Sequence, residues 1–378
     1  MKPQQWAERM PWELVAAAAM LVLLGWMGIR RAEVFVGGVE GAANKQLVWA
    51  ALAACVMAAA TVPNYRWLGK WSFALLGLTL LLLVAVFWYP PVNGARRWIR
   101  LGSVSVQPSE LAKLALVLCL ARWFMFRRNV RRLPALMVPM ALCLVPMLFI
   151  LKEPDLGTAL VFPPVLLAML LAAGARWQDL MKVALAGLLL LPVVWSQMSR
   201  EQKSRVTALW EATQPGVRPS DDAYHLYASK QMLALGNTWG SLWQGDVADD
   251  PAAYNLPAAQ TDFIFCVIGE RLGIPGLLLV MLLYVWMVRR GLQIAAATRE
   301  PFGRLTAVGL VTLLAFQALV NMAMTVGLAP ITGLALPFVS YGGSSLVANG
   351  LAIGLLLNIS IRPGFSSTDG PFSYHDPE

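Results

Sequence analysis

Between Arg304 and Arg362 the chain runs for 57 residues without one Asp, Glu, Lys or Arg. A bilayer-crossing helix needs about 20 mostly apolar residues, so this run holds two crossings that fold back on each other. The fold-back is marked by a polar kink, Pro337-Phe338-Val339-Ser340-Tyr341-Gly342-Gly343-Ser344-Ser345. Irregular backbone at membrane depth is tolerated only where it lines a cavity or is buried in protein. The kink is therefore a candidate working site, and successive N–H groups there could form an anion nest. A tight turn is the plainer alternative.

The rest of the chain repeats the pattern. Of 378 residues, 58% are hydrophobic and 13% charged, with mean hydropathy +0.61; soluble domains carry roughly 25% charged residues. Uncharged stretches near spanning length occupy residues 14–29, 46–65, 71–95, 133–151, 156–175, 183–199 and 272 to the edge of Arg289. Another, 105–126, is broken only by Glu110, Lys113 and, near its end, Arg122. With the two in the long run, the expectation is an all-α polytopic membrane protein of ten transmembrane helices. It forms one domain, 1–378, with a large extracytoplasmic loop (199–261) between helices 7 and 8 and a short cytoplasmic tail (363–378).

Lys and Arg in short loops set orientation. With the loop after the first span taken as outside, the inner short loops hold 13 such residues and the outer ones 7. Both termini are then cytoplasmic. Arg30-Arg31 follows the first span with no small-residue cleavage site, so that span reads as retained. The net charge of +9 sits mainly in membrane-flanking loops, which points to anionic lipid and topology rather than nucleic acid. The cysteines, Cys55, Cys119, Cys143 and Cys266, lack metal-ligand spacing and read as small buried side chains. Within the outer loop, residues 224–235 have helical character, with Gly236 as the C-cap.

Five polar interruptions carry candidate chemistry. Asn93-Gly94-Ala95-Arg96-Arg97-Trp98-Ile99-Arg100 places three arginines and a tryptophan at the outer interface, against the charge trend. They either anchor to headgroups or capture an anionic lipid-linked substrate through forked contacts to phosphate. Glu110 and Lys113 share one face of a helix starting near Pro108, as a structural pair or as a cavity lining. Asp155, in Glu153-Pro154-Asp155-Leu156-Gly157-Thr158, is an N-cap, a divalent-cation ligand or a sugar-hydroxyl contact. Asp262 follows Thr261 where the outer loop re-enters the membrane, a suitable place for a general base; Glu270 lies eight residues on. The fifth is the kink itself. Of the two histidines, His225 in the loop reads as a solvated side chain, with a catalytic role as the alternative, and His375 lies in the tail.

Together these motifs resemble the shape, elongation, division and sporulation (SEDS) family of bacterial membrane proteins, the RodA/FtsW group. The resemblance rests on Asn93 to Trp98, Gln107-Pro108-Ser109-Glu110-Leu111-Ala112-Lys113, Glu153 to Thr158, Thr261-Asp262-Phe263-Ile264-Phe265 with Gly269-Glu270, and Pro337 to Ser345. It covers nearly the whole chain, and the short tails favour the RodA-like side. It departs at Glu270-Arg271, where the family often has two acidic residues, and in the wording of residues 239–255.

The resemblance implies a peptidoglycan glycosyltransferase in the bacterial cytoplasmic membrane, polymerising lipid II on the extracytoplasmic side. It also implies a class B penicillin-binding protein as partner and no nucleic acid. Inverting transfer would have the acceptor 4-hydroxyl attack the donor anomeric carbon as polyprenyl pyrophosphate leaves. Asp262 is the expected catalytic base. Substrate contacts are expected from Arg96, Arg97, Trp98, Glu110, Lys113, Asp155, Thr158, Thr261, Glu270, Ser340, Gly342, Gly343, Ser344 and Ser345. A divalent cation (Mg or Mn) is assigned to Asp155 and Glu110. The competing expectation is a lipid II flippase, which would spread polar groups through mid-depth; here they gather at the outer helix ends, with Asn321 the exception.

Overall fold

A computed structural model describes residues 9–35, 39–91, 95–102, 104–126, 133–211, 221–245 and 255–362. The expectations for Asn93 and Gly94, for Arg127, Arg128, Arg131 and Arg132 (four of the basic residues counted in the inner loops), for the tail 363–378 with His375, and for loop residues 246–254 lie outside these.

The apolar runs become helices α1 (Trp12–Phe35), α2 (Ala42–Thr61), α3 (Tyr65–Ala85), α4 (Pro108–Met125), α5 (Leu133–Lys152), α6 (Leu156–Ala172) and α7 (Trp177–Gln197). The polar segment 199–261 supplies α8 (Arg200–Glu211), α9 (Asp221–Leu235) and α10 (Ser241–Gln244), and α11 (Ile264–Ala297), α12 (Pro301–Val326) and α13 (Gly343–Ile361) follow. Among the described residues six helices, α1 (to Val34), α2, α3 (with its 3-10 extension to Trp88), α11, α12 and α13, are long and apolar enough to cross a membrane. Helix α5 (from Leu136) and α6 are apolar but shorter.

Burial sorts these helices into an inner and an outer set. Helix α4 is buried along nearly its whole length, including Glu110 and Lys113. It packs against α3 and α12, α12 packs against α6 and α11, and α13 lies along α2. Helix α7 instead exposes Leu185, Leu188 and Leu189. An apolar helix with leucines facing outward is stable when its solvent is lipid.

Several boundaries differ from the sequence reading, each for a local reason. A two-stranded antiparallel hairpin, β1 (Ile99–Leu101) and β2 (Val104–Val106), pairs Arg100 with Ser105, so the chain is not wholly α. The eighth expected span begins at Ile264, next to the entry read at Asp262, so it takes in Glu270 and Arg271 ahead of the uncharged stretch from 272; Gly273 breaks it (φ 65, ψ −159) and Pro275 follows. Proline lacks the N–H that would carry the ladder across such a break. The helix expected at 224–235 runs from Asp221 to Leu235, but Gly236 is not its left-handed cap. Asn237 takes the positive φ of 47. Gly236 lies against backbone: a Cβ there would sit 2.1 Å from the Gly269 carbonyl oxygen.

Candidate active site

Three helix N-termini and one re-entry turn meet at a single cleft of about 280 Å³. Helix α4 contributes Gln107 at its N-cap and Glu110; α6 contributes its N-cap Asp155, and Thr158; the start of α13 contributes Gly342 and Ser345. Arg97 and Trp98 enter from the segment before β1, Thr261 and Asp262 from the turn before α11, and Glu201 and Arg205 from α8. The extended segment after α12 supplies Gly333, Leu334 and Ala335. Helix N-termini present unpaired N–H groups and partial positive charge, the usual setting for an anion.

The segments are tied together by bonds that span long stretches of sequence. Gln107 donates its backbone N–H to Ser344 Oγ (3.1 Å) and its Nε2 to Asp155 Oδ2 (3.1 Å). Asp155 caps α6, accepting from Thr158 N (3.2 Å) and Thr158 Oγ1 (2.9 Å). Ser340 accepts from Leu336 N (2.8 Å) and donates to the Thr261 carbonyl (2.5 Å), while Tyr341 N donates to the Gln260 carbonyl (2.8 Å). Asn321, buried in α12, donates to the carbonyls of both Asp262 (2.8 Å) and Leu334 (2.7 Å). The kink is therefore fastened to the turn that carries Asp262, and Asn321, near the C-terminal end of α12, ties that turn to the segment at Leu334.

Gly157 shows how close this packing is. A Cβ there would lie 2.3 Å from the Thr332 carbonyl oxygen and 3.0 Å from Leu334 Cγ. Gly157→Ala is expected to displace the segment running to Gly333 and to lower stability by about 1–3 kcal/mol, read as a fall in Tm of the purified protein.

Asp262 is half-buried on the cleft wall. Desolvation pushes its carboxyl above the ordinary aspartate range, and the guanidinium charges of Arg205 and Arg97 oppose that rise. A base in this setting is ionised only toward the less acidic side, where it accepts a proton readily.

Glu153 is fully buried, and neither carboxylate oxygen has a hydrogen-bond partner. Burial, aided by Asp155 and opposed by Arg97, pushes its carboxyl up to about 8. The folded state therefore binds a proton there that the unfolded chain has released above the ordinary glutamate range. Stability conferred by that proton is complete at low pH and is lost as pH rises toward and through about 8. Glu153→Gln is expected to flatten this loss, which runs from about pH 4.5 to about 8 and is worth on the order of a few kcal/mol, in thermal unfolding measured against pH.

The remaining expected site residues are placed as follows. Arg96 is exposed and donates to the Phe87 carbonyl (2.7 Å). Arg97 is held by the carbonyls of Glu153 (3.0 Å) and Pro154. Lys113 lies behind Glu110, its Nζ 2.8 Å from Glu110 Oε1, and does not line the cleft. Glu270 is also away from the cleft. It accepts Arg31 Nε (3.0 Å) and Arg31 Nη2 (2.7 Å) in a buried ion pair that joins α11 to α1. Gly343 packs under Trp49, whose ring would lie 2.3 Å from a Cβ.

The cation assigned to Asp155 and Glu110 does not find a fitting donor set. Both oxygens of Asp155 already accept hydrogen bonds, Glu110 is paired with Lys113, and no metal-holding group of three His, Cys, Asp or Glu occurs among the described residues. Cleft residues outside every sequence motif are Glu201, Arg205, Gly333, Leu334 and Ala335; Gln107 and Tyr341 belong to motifs but carried no assigned role. The i, i+4 spacing of Glu201 and Arg205 in the outer loop was the one available signal for that pair.

Comparison with known proteins gives one answer. The family model described as "Cell cycle protein", for FtsW, RodA and SpoVE, matches residues 9–363. A protein named "Probable peptidoglycan glycosyltransferase FtsW" from Geobacter sulfurreducens is 39% identical over 325 residues, covering 84% of this chain and 85% of the relative. "Peptidoglycan glycosyltransferase MrdB" of Escherichia coli is 34% identical over 294 residues, 76% of this chain and 77% of the relative. Among solved structures, a chain from "Structural coordination of polymerization and crosslinking by a peptidoglycan synthase complex" superposes with TM-score 0.80 at 29% identity, covering 95% of this chain and 99% of that one. Thermus thermophilus RodA superposes with TM-score 0.71 at 27% identity, covering 94% and 98%. The chain belongs to the SEDS family of membrane proteins, in its FtsW/RodA/SpoVE group.

Proposed function

We propose that this chain is a peptidoglycan glycosyltransferase that polymerises lipid II at the extracytoplasmic face of the bacterial cytoplasmic membrane. The observation that carries the reading is a desolvated carboxylate, Asp262, sharing one small cleft with Arg97, Arg205 and three helix N-termini. The names borne by the Geobacter and Escherichia relatives point the same way. Helices α1 to α7 and α11 to α13 are the ten spans, both termini are cytoplasmic, and α8 to α10 form the outer loop between spans 7 and 8.

In this mechanism Asp262 takes the proton of the acceptor 4-hydroxyl. That oxygen bonds to the donor anomeric carbon from the face opposite the diphosphate. The carbon–oxygen bond to phosphate breaks and the polyprenyl diphosphate departs, inverting the centre. The proton then passes from Asp262 to water. Diphosphate is a good leaving group and needs charge stabilisation more than protonation. Arg97 and the N-termini of α4, α6 and α13 supply it, already in place before the reaction. Because Arg96 and Lys113 lie off the cleft, the leaving-group contact falls to Arg97. Trp98 offers a face to sugar or polyprenyl chain.

A class B penicillin-binding protein is the proposed partner, supported by the similarity to a chain of a complex that couples polymerisation to crosslinking. The reading is tested by incubating the purified protein with labelled lipid II and resolving the products by length. A ladder of glycan strands is expected, and unchanged lipid II in the presence of folded protein contradicts it.

A further inference from the structure

Arg205 reaches the cleft from α8, a helix of the outer loop packed on α9. Its Nη2 donates to Glu201 Oε1 at 2.8 Å, one turn earlier. Its other terminal nitrogen faces Asp262 across Gly333. A Cβ built on Gly333 would lie 3.6 Å from Arg205 Nη1 and 3.7 Å from Asp262 Oδ2, so the two atoms stand no more than about 7.3 Å apart. They do not form an ion pair, which sets the near limit at 4.0 Å. Gly333 has φ +70, a conformation that side-chain-bearing residues rarely adopt. The backbone there is thus fixed in a form that leaves the space between the two groups open.

We propose that Arg205 is a positioning residue for the transfer reaction, keeping Asp262 a carboxylate while leaving its oxygens free to receive the acceptor proton. A directly paired arginine would occupy the carboxylate's lone pairs. A cation held across a gap of about 4–7 Å still favours the charged form, because at a partly buried site the attraction of opposite charge is screened less than in bulk water.

The other charged and titratable groups in the cleft do not replace it. Glu110 from α4, Asp155 from α6 and Glu201 from α8 are acidic, Tyr341 comes from the turn before α13, and Glu110 is neutralised by Lys113. Arg97 is the second cation, and the carbonyls of Glu153 and Pro154 hold it in place. The raised carboxyl of Asp262 is opposed first by Arg205 and then by Arg97.

This inference rests on Asp262 acting as the base in lipid II polymerisation. The test is the pH profile of strand synthesis by the purified full chain, comparing Arg205→Gln, Arg205→Lys and wild type after each is shown to be monodisperse with an unchanged melting curve. For Arg205→Gln a loss of about tenfold is expected near pH 6.5, closing to within about twofold near pH 9, with Arg205→Lys close to wild type throughout. An Arg205→Gln profile that is unchanged, or reduced by the same factor at every pH, overturns the inference while leaving the polymerase reading intact. A folded wild type that makes no strands at any pH overturns the polymerase reading, and the inference with it.

Discussion

Asp262→Asn is expected to lower strand synthesis by about 10²–10⁴-fold, the range general-base assistance supplies, with little loss of stability. The two effects separate because the fold holds residue 262 through its backbone. Its N–H donates to the Ala258 carbonyl (3.1 Å) and its carbonyl accepts from Asn321 Nδ2 (2.8 Å). Neither bond involves the carboxylate. Asparagine keeps the shape and removes a partly desolvated charge, so Tm should stay level or rise slightly. Single-turnover polymerisation and thermal unfolding on the same preparation check both halves. Near-normal synthesis by the variant removes Asp262 from the role.

Lys113→Met is expected to have the largest effect on stability, a loss of about 3–5 kcal/mol. Lys113 is 2% exposed and its partner Glu110 8%. Removing the ammonium group leaves a buried carboxylate with no compensating charge. Replacing both as Glu110→Gln with Lys113→Met should recover most of that loss, since burying two uncharged groups avoids the stranded ion. Chemical or thermal unfolding in one detergent measures the cycle. Activity answers a different question: Glu110 faces the cleft, so the double variant is expected to fold and to work poorly. Full activity in a stable double variant reduces the pair to a structural element.

Much of this molecule was legible because two of its signals are local. Apolar runs of spanning length announce helices in any order of assembly. The N-terminal signals at Pro108 and Asp155 follow from proline's missing N–H and from a carboxylate's reach to the third residue on. The kink from Pro337 to Ser345 stood out because polar irregular backbone is unusual inside an apolar run. What failed locally failed for stated reasons. Gly236 looked like a helix cap because glycine favours positive φ, but here its missing side chain admits the Gly269 backbone. The uncharged stretch from 272 shows only the later part of the helix starting at Ile264, because its first turns carry Glu270 and Arg271, and the break at Gly273 is a three-dimensional accommodation to the Thr238–Gly240 segment packed against it.

The cleft was legible in its membrane-flanking motifs and not in its loop. Asp262, Asp155 and Arg97 sit in runs whose polarity conflicts with their surroundings, so each drew attention singly. Arg205 sits among other polar residues, where a charge carries no such contrast. Only its approach to Gly333 gives it meaning. Glu270 illustrates the converse: its polarity stood out, yet its charge is spent on Arg31. Sequence contrast identifies buried charge but does not say which partner it meets.

The most direct test of the central claim is reconstitution of the full chain into liposomes bearing fluorescent lipid II in both leaflets, scoring polymer and translocation in one experiment. The account predicts glycan strands built from outward-facing lipid II, no accelerated movement between leaflets, and loss of the strands in Asp262→Asn. Rapid translocation without strands, unaffected by Asp262→Asn, would contradict it and identify a transporter instead.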